Sequence, residues 1–175
     1  MLSLDRPEGI PKAPADLWVR RLVGSECIQF ACASPAIWQF WTHWDGARRK
    51  SMPCTKPHKA CAGHKLALPR RWKGYLYGVN QAARRYEFLE ISLDAATKLL
   101  ALVGDLVSLR GQRFKVRRGG GDAARLFFEM LPDWETYSKG ELDRDKDPTA
   151  TLLKLWGVED VSDTPIVRPG VPFSD

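Results

Sequence analysis

Histidine and cysteine are concentrated in one short stretch of the chain. All three histidines and two of the four cysteines lie within residues 43–64, HWDGARRKSMPCTKPHKACAGH. Pro53 and Pro57 disfavour a helix there, so the stretch is predicted to be a long loop without a core of its own. Fixing such a loop costs roughly 1–2 kcal/mol of backbone entropy per residue, which little burial offsets. A bound metal ion would supply the missing stabilisation.

Four side chains in this stretch are candidate metal ligands. His43, Cys54, Cys61 and His64 follow the spacing H-x10-C-x6-C-x2-H, and one turn of chain can bring the C-x2-H pair to one metal. Two thiolates and two imidazoles form a ligand set that tetrahedral Zn²⁺ takes. We therefore predict a structural zinc ion, with His58 as a substitute for His43 or His64. The alternative is that both cysteines are ordinary core residues and the histidines lie on the surface of a basic loop.

The surroundings of this stretch argue against a catalytic metal. Catalysis by zinc needs an open coordination position and a nearby acid or base. No acidic residue occurs between Gly46 and Tyr86, and only Asp45 is close in sequence. The acidic stretch ELDRDKD, 141–147, lacks the glycine and distal glutamate of a calcium loop and reads as a solvated connector. We therefore predict that the protein is not an enzyme.

Positive charge is concentrated in the same part of the chain. The net charge is +6, but residues 46–86 carry eleven basic residues and no acid, so the remainder is net −5. Such a field attracts polyanions, because each phosphate contact releases condensed counterions. The alternative is a solvated basic face that aids solubility. The predicted nucleic-acid contacts in this segment are Arg48, Arg49, Lys50, Lys56, Lys59, Lys65, Arg70, Arg71, Lys73, Arg84 and Arg85.

Aromatic residues accompany these charges. Trp72, Tyr75 and Tyr77 lie among Arg70, Arg71 and Lys73, and bases of a single strand stack on aromatic rings that are interleaved with cations. We predict that these three rings contribute to a binding face, against the alternative that they belong to the core. Trp38 and Trp41 are assigned mainly to the core. The stretch RFKVRRGGGDAAR predicts a basic hairpin whose Arg117 and Arg118 contact phosphate.

The order of elements indicates an α+β, mainly β fold. Strands are predicted over 17–33 with a bend at Gly24, over 72–80 and 84–92, and over 105–118 and 124–131. A short helix or an aromatic loop is predicted over 34–44. A helix capped by Ser92 and ended by Gly104 lies between the third and fourth strands, and Cys27 and Cys32 are assigned to the core of the first strand.

This order resembles that of an OB-fold, a five-stranded barrel with a helix between strands 3 and 4. The zinc knuckle would then be an insertion between strands 1 and 2, beside the oligonucleotide-binding face. An SH3-like barrel or a small antiparallel sheet with packed helices is the alternative. The predicted organisation is an extended lead-in (1–16), an OB-like core (17–131) with a basic zinc-binding insertion (34–71), a helical extension (132–163) with a helix over 147–157, and a flexible tail (164–175).

Two functions follow from these patterns. The first is a non-enzymatic, zinc-stabilised nucleic-acid-binding protein that grips single-stranded DNA or RNA through a basic aromatic face. The second is a protein-interaction or accessory subunit that docks on a larger nucleoprotein machine through the C-terminal helix. The N-terminus has no basic region followed by an apolar run, so a cytoplasmic protein without a membrane partner is expected.

Overall fold

A computed structural model describes residues 18–47, 49–120, 125–132, 148–161 and 166–171. The described chain is mainly β with a few helices, as the element order predicts. Its strands are β1 (Trp18–Arg20), β2 (Cys27–Cys32), β3 (Ile37–Asp45), β4 (Lys50–Pro53), β5 (Arg70–Asn80), β6 (Arg85–Ile91), β7 (Arg113–Arg118), β8 (Leu126–Met130) and β9 (Ile166–Val167). The helices are α1 (Ala62–Lys65), α2 (Leu93–Val103) and α3 (Pro148–Trp156), with a 3₁₀ turn at His58–Ala60.

The sheet is organised around the long strand β5. Along one edge β5 pairs with β6, and along the other it pairs with β3 through its first half and with β2 through its second half. The main strand order is β1-β6-β5-β2-β7-β8, and β3 additionally carries β4 and β9. The described strands therefore form an open sheet, with β1 and β8 at its two ends, and the closed barrel is not formed by them.

Two hydrophobic cores lie on opposite faces of this sheet. One face packs under α2 and includes Leu89, Ile91 and Leu99, whereas the other packs under α3 and includes Tyr86 and Phe88. The alternation along β6 distributes its side chains between the two cores, as expected for a strand that is covered on both faces.

The ends of α2 lie where the sequence predicts. The Ser92 side chain accepts a hydrogen bond from the Ala95 N–H, and Gly104 ends the helix at φ +56°. The prediction for 34–44 was wrong, because Ile37–Asp45 form strand β3. Ser34 as a cap and Pro35 at the first position suggested a helix, but burial of Phe40 and Thr42 follows the two-residue period of a strand.

The cysteines of β2 differ in their environments. Cys32 is fully buried in the core under α2, as predicted, whereas Cys27 is exposed. The two positions are an odd number of residues apart and therefore face opposite sides of the strand. The side of Cys27 is covered farther along at Ala31 but is exposed at Cys27 itself, where the strand begins.

Several predictions fall outside the described residues. They concern the lead-in (1–16), the acidic connector (141–147), the tip of the β7–β8 hairpin (121–124) and part of the tail. Within the tail, Ile166 and Val167 pair with the start of β3. Within the described ranges, no helix has the length and apolar character needed to cross a membrane.

Candidate metal centre

Four side chains converge at the outer end of β3. One ligand atom from each of His43, Cys54, Cys61 and His64 lies within 4.8 Å of all the others, and the set could hold a metal ion. The first three are buried and His64 is half-buried. These are the four residues that the sequence spacing predicts, and His58 is not among them.

Strand pairing and one short helix assemble the cluster. His43 lies on β3 between Met52 of β4 and Arg70 of β5. Cys54 follows β4 directly, and its N–H donates a 2.8 Å hydrogen bond to the carbonyl of Trp41. Cys61 and His64 come from the N-cap and the third residue of α1, so the C-x2-H pair occupies a single turn.

The approach of α1 to β3 depends on Gly63. A Cβ atom at this position would lie 2.1 Å from Cγ and 2.2 Å from Cδ2 of His43, well inside van der Waals contact. Only glycine therefore lets the helix backbone cross this closely over the imidazole. The sequence AGH predicts a sharp turn. Its tight packing against His43 is visible only in the tertiary structure.

The imidazole of His43 is held in one orientation. Its Nδ1 lies 2.8 Å from the carbonyl oxygen of Leu68, and its Nε2 lies 3.6 Å from the Sγ of Cys61. When Nδ1–H donates to the Leu68 carbonyl, the lone pair is on Nε2 and points into the cluster. A backbone partner for the second ring nitrogen is the usual way in which a metal-binding histidine is oriented.

The thiol of Cys61 is prepared for ligation. Burial acts to raise its pKa, but hydrogen bonds from Thr55 and His64 outweigh this effect and lower the pKa from 9.0 to about 5. The Thr55 N–H contributes at 3.5 Å from Sγ. Because a thiolate rather than a thiol binds metal, Cys61 is in the binding form at neutral pH.

The remaining histidine lies outside the cluster. His58 is exposed, and its ring stacks on that of His64 with 4.8 Å between the ring centroids. This places His58 against the outer side of a ligand, where it shields His64 from solvent.

A basic aromatic surface borders the cluster on the same face of the sheet. Trp41 precedes His43 by two residues, and its ring is 36% exposed. The guanidinium of Arg70 stacks over that ring at 4.6 Å. The half-buried Trp72 lies opposite Trp41 on β5 and donates a hydrogen bond to Gln39. Exposed lysines lie nearby in sequence, between or next to the residues of the cluster: Lys56, Lys59 and Lys65.

Trp41 is a residue that sequence reasoning missed. Its assignment mainly to the core was wrong, whereas Trp38 is buried as expected. The available signal was its position two residues before a predicted ligand, which puts both side chains on one face of a strand. Because a helix or loop was predicted for 34–44, the shared strand face of Trp41 and His43 was not predicted.

Two predicted stacking residues are removed from any binding surface. Tyr75 and Tyr77 are 0% and 2% exposed and belong to the core under α3. The Tyr75 hydroxyl donates to Glu90, and the burial of this phenol, followed in weight by the Glu90 charge, raises its pKa. A buried ring has no face to offer a base. The position of Tyr75 and Tyr77 on one face of β5 therefore reflects core packing and not a binding surface.

The predicted basic residues of 46–86 do not form one patch. Arg84 lies in the β5–β6 turn, separated from Arg70 by the full length of β5, which is roughly 35 Å at the usual rise of a strand. Lys73 and Arg85 form ion pairs with Glu90 and Glu87 at 2.9 and 3.2 Å.

Other predicted contacts occupy separate positions. Arg71 and Arg49 are exposed, and Arg48 and the Lys50 side chain lie outside the described residues. In the hairpin, Arg117 is exposed over the Phe127 ring, whereas Arg118 donates to the Leu22 carbonyl at 3.0 Å.

Comparison with models of protein families, with curated proteins and with solved structures finds no match for this chain.

Proposed function

We propose that this protein is a non-enzymatic nucleic-acid-binding protein in which a structural zinc ion orders the segment that carries the binding surface. The observation that carries the proposal is the exposed Trp41–Arg70 pair beside a four-ligand cluster within an acid-free basic segment. Single-stranded DNA or RNA is the favoured ligand, because stacking on a partly exposed ring requires unpaired bases.

The spacing of the ligand atoms supports zinc as the metal. A tetrahedral zinc ion with Zn–S of about 2.3 Å and Zn–N of about 2.0–2.1 Å holds sulfur and nitrogen ligands roughly 3.6 Å apart. The separation between Cys61 Sγ and His43 Nε2 is 3.6 Å, and that between Cys54 Sγ and His64 Nδ1 is 3.9 Å. Four protein ligands leave no open position, which is typical of structural zinc rather than of catalytic zinc.

Metal content of the purified protein tests the zinc site. One zinc ion per chain is expected, and it should be lost from His43→Ala and Cys61→Ser. Cys27→Ser serves as the matched control, because it removes the same residue type as Cys61→Ser from an exposed position outside the cluster. Absence of zinc from the wild type, or an equal loss from Cys27→Ser, would refute this part of the proposal.

The salt dependence of oligonucleotide binding tests the surface. Anisotropy titrations would use single-stranded DNA and RNA of about 16 nucleotides, the upper site size of common single-strand modules. Trp41→Leu should weaken binding by about 1–3 kcal/mol, as expected for one lost stacking contact. Replacing Lys56, Lys59 and Lys65 together with glutamine should reduce the slope of log K against log salt by about 2, since each single-strand phosphate contact contributes about 0.7.

Arg84→Gln provides the control for charge alone. It removes one positive charge at the opposite end of β5, so affinity and slope should match those of the wild type. Arg117→Ala tests separately whether the hairpin contacts phosphate. Binding that does not depend on salt, or an Arg84→Gln effect as large as that of Arg70→Gln, would contradict a localised surface.

The packing of α3 disfavours the docking alternative. Leu152 is fully buried, and the Trp156 ring packs edge-on against Phe40 and Tyr75 at 5.1 and 5.4 Å. Most of the apolar surface that this helix would offer to a partner is therefore used within the protein, although Leu155 is 42% exposed.

A further inference from the structure

A cavity of about 350 Å³ lies between the β3–β4 hairpin and α3. Its volume falls near the lower end of the roughly 300–1,000 Å³ that small-molecule sites occupy. Trp44 contributes one wall, and because it neighbours His43 on β3, its side chain points to the opposite face from the metal cluster. The cavity is therefore separate from the surface around Trp41.

The lining of this cavity carries an excess of positive charge. Arg21 and Arg49 both line it, and the Arg21 guanidinium lies 4.3 Å from the centroid of the Trp44 ring. Among the described lining residues the one acid is Glu90, which is ion-paired with Lys73 at 2.9 Å and accepts a hydrogen bond from Tyr75. The charge of Glu90 is thus balanced, and the described lining residues offer no other acid to Arg21 and Arg49, so both guanidinium groups can face an anion.

A smaller pocket of about 70 Å³ shares Arg21 and Glu90 with the cavity. Its other polar lining residues are Lys73, Ser92 and Arg118, so the basic character of the cavity continues into it. Guanidinium groups bind phosphate through paired, charge-assisted hydrogen bonds, which suits an anionic group at this junction.

The rest of the cavity wall is aromatic and apolar. Trp44, Trp156, Met52 and Pro53 provide it, and the Ser51 Oγ is buried without a hydrogen-bond partner among the described residues. A planar aromatic ligand would pack against the indoles, and its polar edge could pair with the Ser51 hydroxyl, which both donates and accepts.

We propose that this cavity binds a nucleotide, with the base against Trp44 and Trp156 and the phosphate at Arg21 and Arg49. The ligand is either a free nucleoside monophosphate or the terminal nucleotide of a strand, since both present a base and a phosphate. This site is distinct from the proposed oligonucleotide surface and does not depend on it.

Isothermal titration calorimetry of the intact, metal-loaded protein tests the proposal with adenosine monophosphate, adenosine, ribose 5-phosphate and inorganic phosphate. The monophosphate should bind most tightly, because it alone uses both the aromatic walls and the guanidinium groups. Inorganic phosphate or ribose 5-phosphate binding as tightly as the monophosphate would overturn recognition of the base. No binding of the monophosphate would overturn the site.

Arg49→Asn and Arg84→Asn form a matched pair of variants. Both arginines are exposed in turns with φ near +50° (52° and 49°), a conformation that asparagine tolerates, and only Arg49 lines the cavity. Arg49→Asn should weaken monophosphate binding about tenfold or more, as expected for the loss of a hydrogen bond to a charged group, whereas Arg84→Asn should not change it. Equal losses in the two variants would overturn the assignment.

Two further experiments test the contact with the base and distinguish a free nucleotide from a strand end. Trp44→Leu should weaken binding of the monophosphate more than that of ribose 5-phosphate, because it removes a wall for the base as well as the ring under the Arg21 guanidinium. Comparing an oligonucleotide that carries a 5′-phosphate with one that lacks it distinguishes a strand end from a free nucleotide, because only a strand-end site prefers the phosphorylated oligonucleotide. If Trp41→Leu abolishes oligonucleotide binding and leaves monophosphate binding intact, the two sites are independent. Refuting the oligonucleotide surface would then not refute the nucleotide site, and the reverse also holds.

Discussion

At residue 63 the fold leaves no room for a side chain. The geometry of the His/Cys cluster depends on this position because α1 must cross directly over the ring of His43. Gly120, in contrast, has no heavy atom of the described residues within 4 Å of the place where a Cβ would be built. The two glycines therefore allow the effect of crowding to be separated from that of glycine replacement itself.

Gly63→Ala should disrupt the metal centre. The added methyl group forces α1 away from His43, which we expect to destabilise the protein by about 1–3 kcal/mol and to reduce zinc stoichiometry. Urea unfolding and metal analysis would measure both effects. Gly120→Ala should leave both unchanged, and a Gly63→Ala protein with full zinc content would refute the packing argument.

The Cys61 thiol should make the metal-free protein sensitive to pH. Its pKa falls from 9.0 to about 5 on folding, so its contribution to stability is fully present above about pH 9 and is lost as the pH falls through about 5. The difference in unfolding free energy between the wild type and Cys61→Ser should therefore shrink from pH 8 to pH 5. Urea unfolding after metal removal would measure it, and a difference that does not vary with pH would contradict the lowered pKa.

At the scale of elements, local signals located α2 well and β3 poorly. The helix has a start signal in Ser92 and a stop signal in Gly104, and both act through neighbouring backbone groups. Strand β3 has no such signals, because its conformation is set by pairing with β4, β5 and β9. Ser34 and Pro35 are compatible with the start of a helix, so the local signals favoured a helix until those partners were known.

Ser92→Ala should destabilise the protein by about 1 kcal/mol. The change removes the acceptor of the Ala95 N–H at the start of α2, and loss of such a cap usually costs about 0.5–2 kcal/mol. Urea unfolding would measure the change. Ser92→Asp, which keeps an acceptor at this position, should restore most of the stability, and failure to do so would indicate that another role of Ser92 dominates.

At the scale of the molecule, residues 41–71, which carry the His/Cys cluster, lie outside both cores. Neither hydrophobic cluster of the described residues contains a residue from 41–71, so this part of the structure rests on strand pairing and on the His/Cys cluster. Segments with little apolar burial open independently of the global unfolding transition.

Chelation should therefore loosen the metal-binding segment without unfolding the protein. Hydrogen exchange should increase in peptides that cover 50–70 and remain slow in peptides that cover β6 and α2. Mass spectrometry before and after metal removal would compare these regions. A uniform loss of protection would show instead that the metal stabilises the whole fold.

Composition and spacing were sufficient to predict the four members of the His/Cys cluster, the concentration of basic residues and the mainly β character of the chain. These properties are local or follow from residue chemistry: ligand types are few, and a C-x2-H pair fits one turn. Tertiary structure decided the rest. It buried Tyr75 and Tyr77, exposed Trp41, and placed Arg84 far from Arg70, because strand pairing and the two covered faces determine which side chains reach solvent.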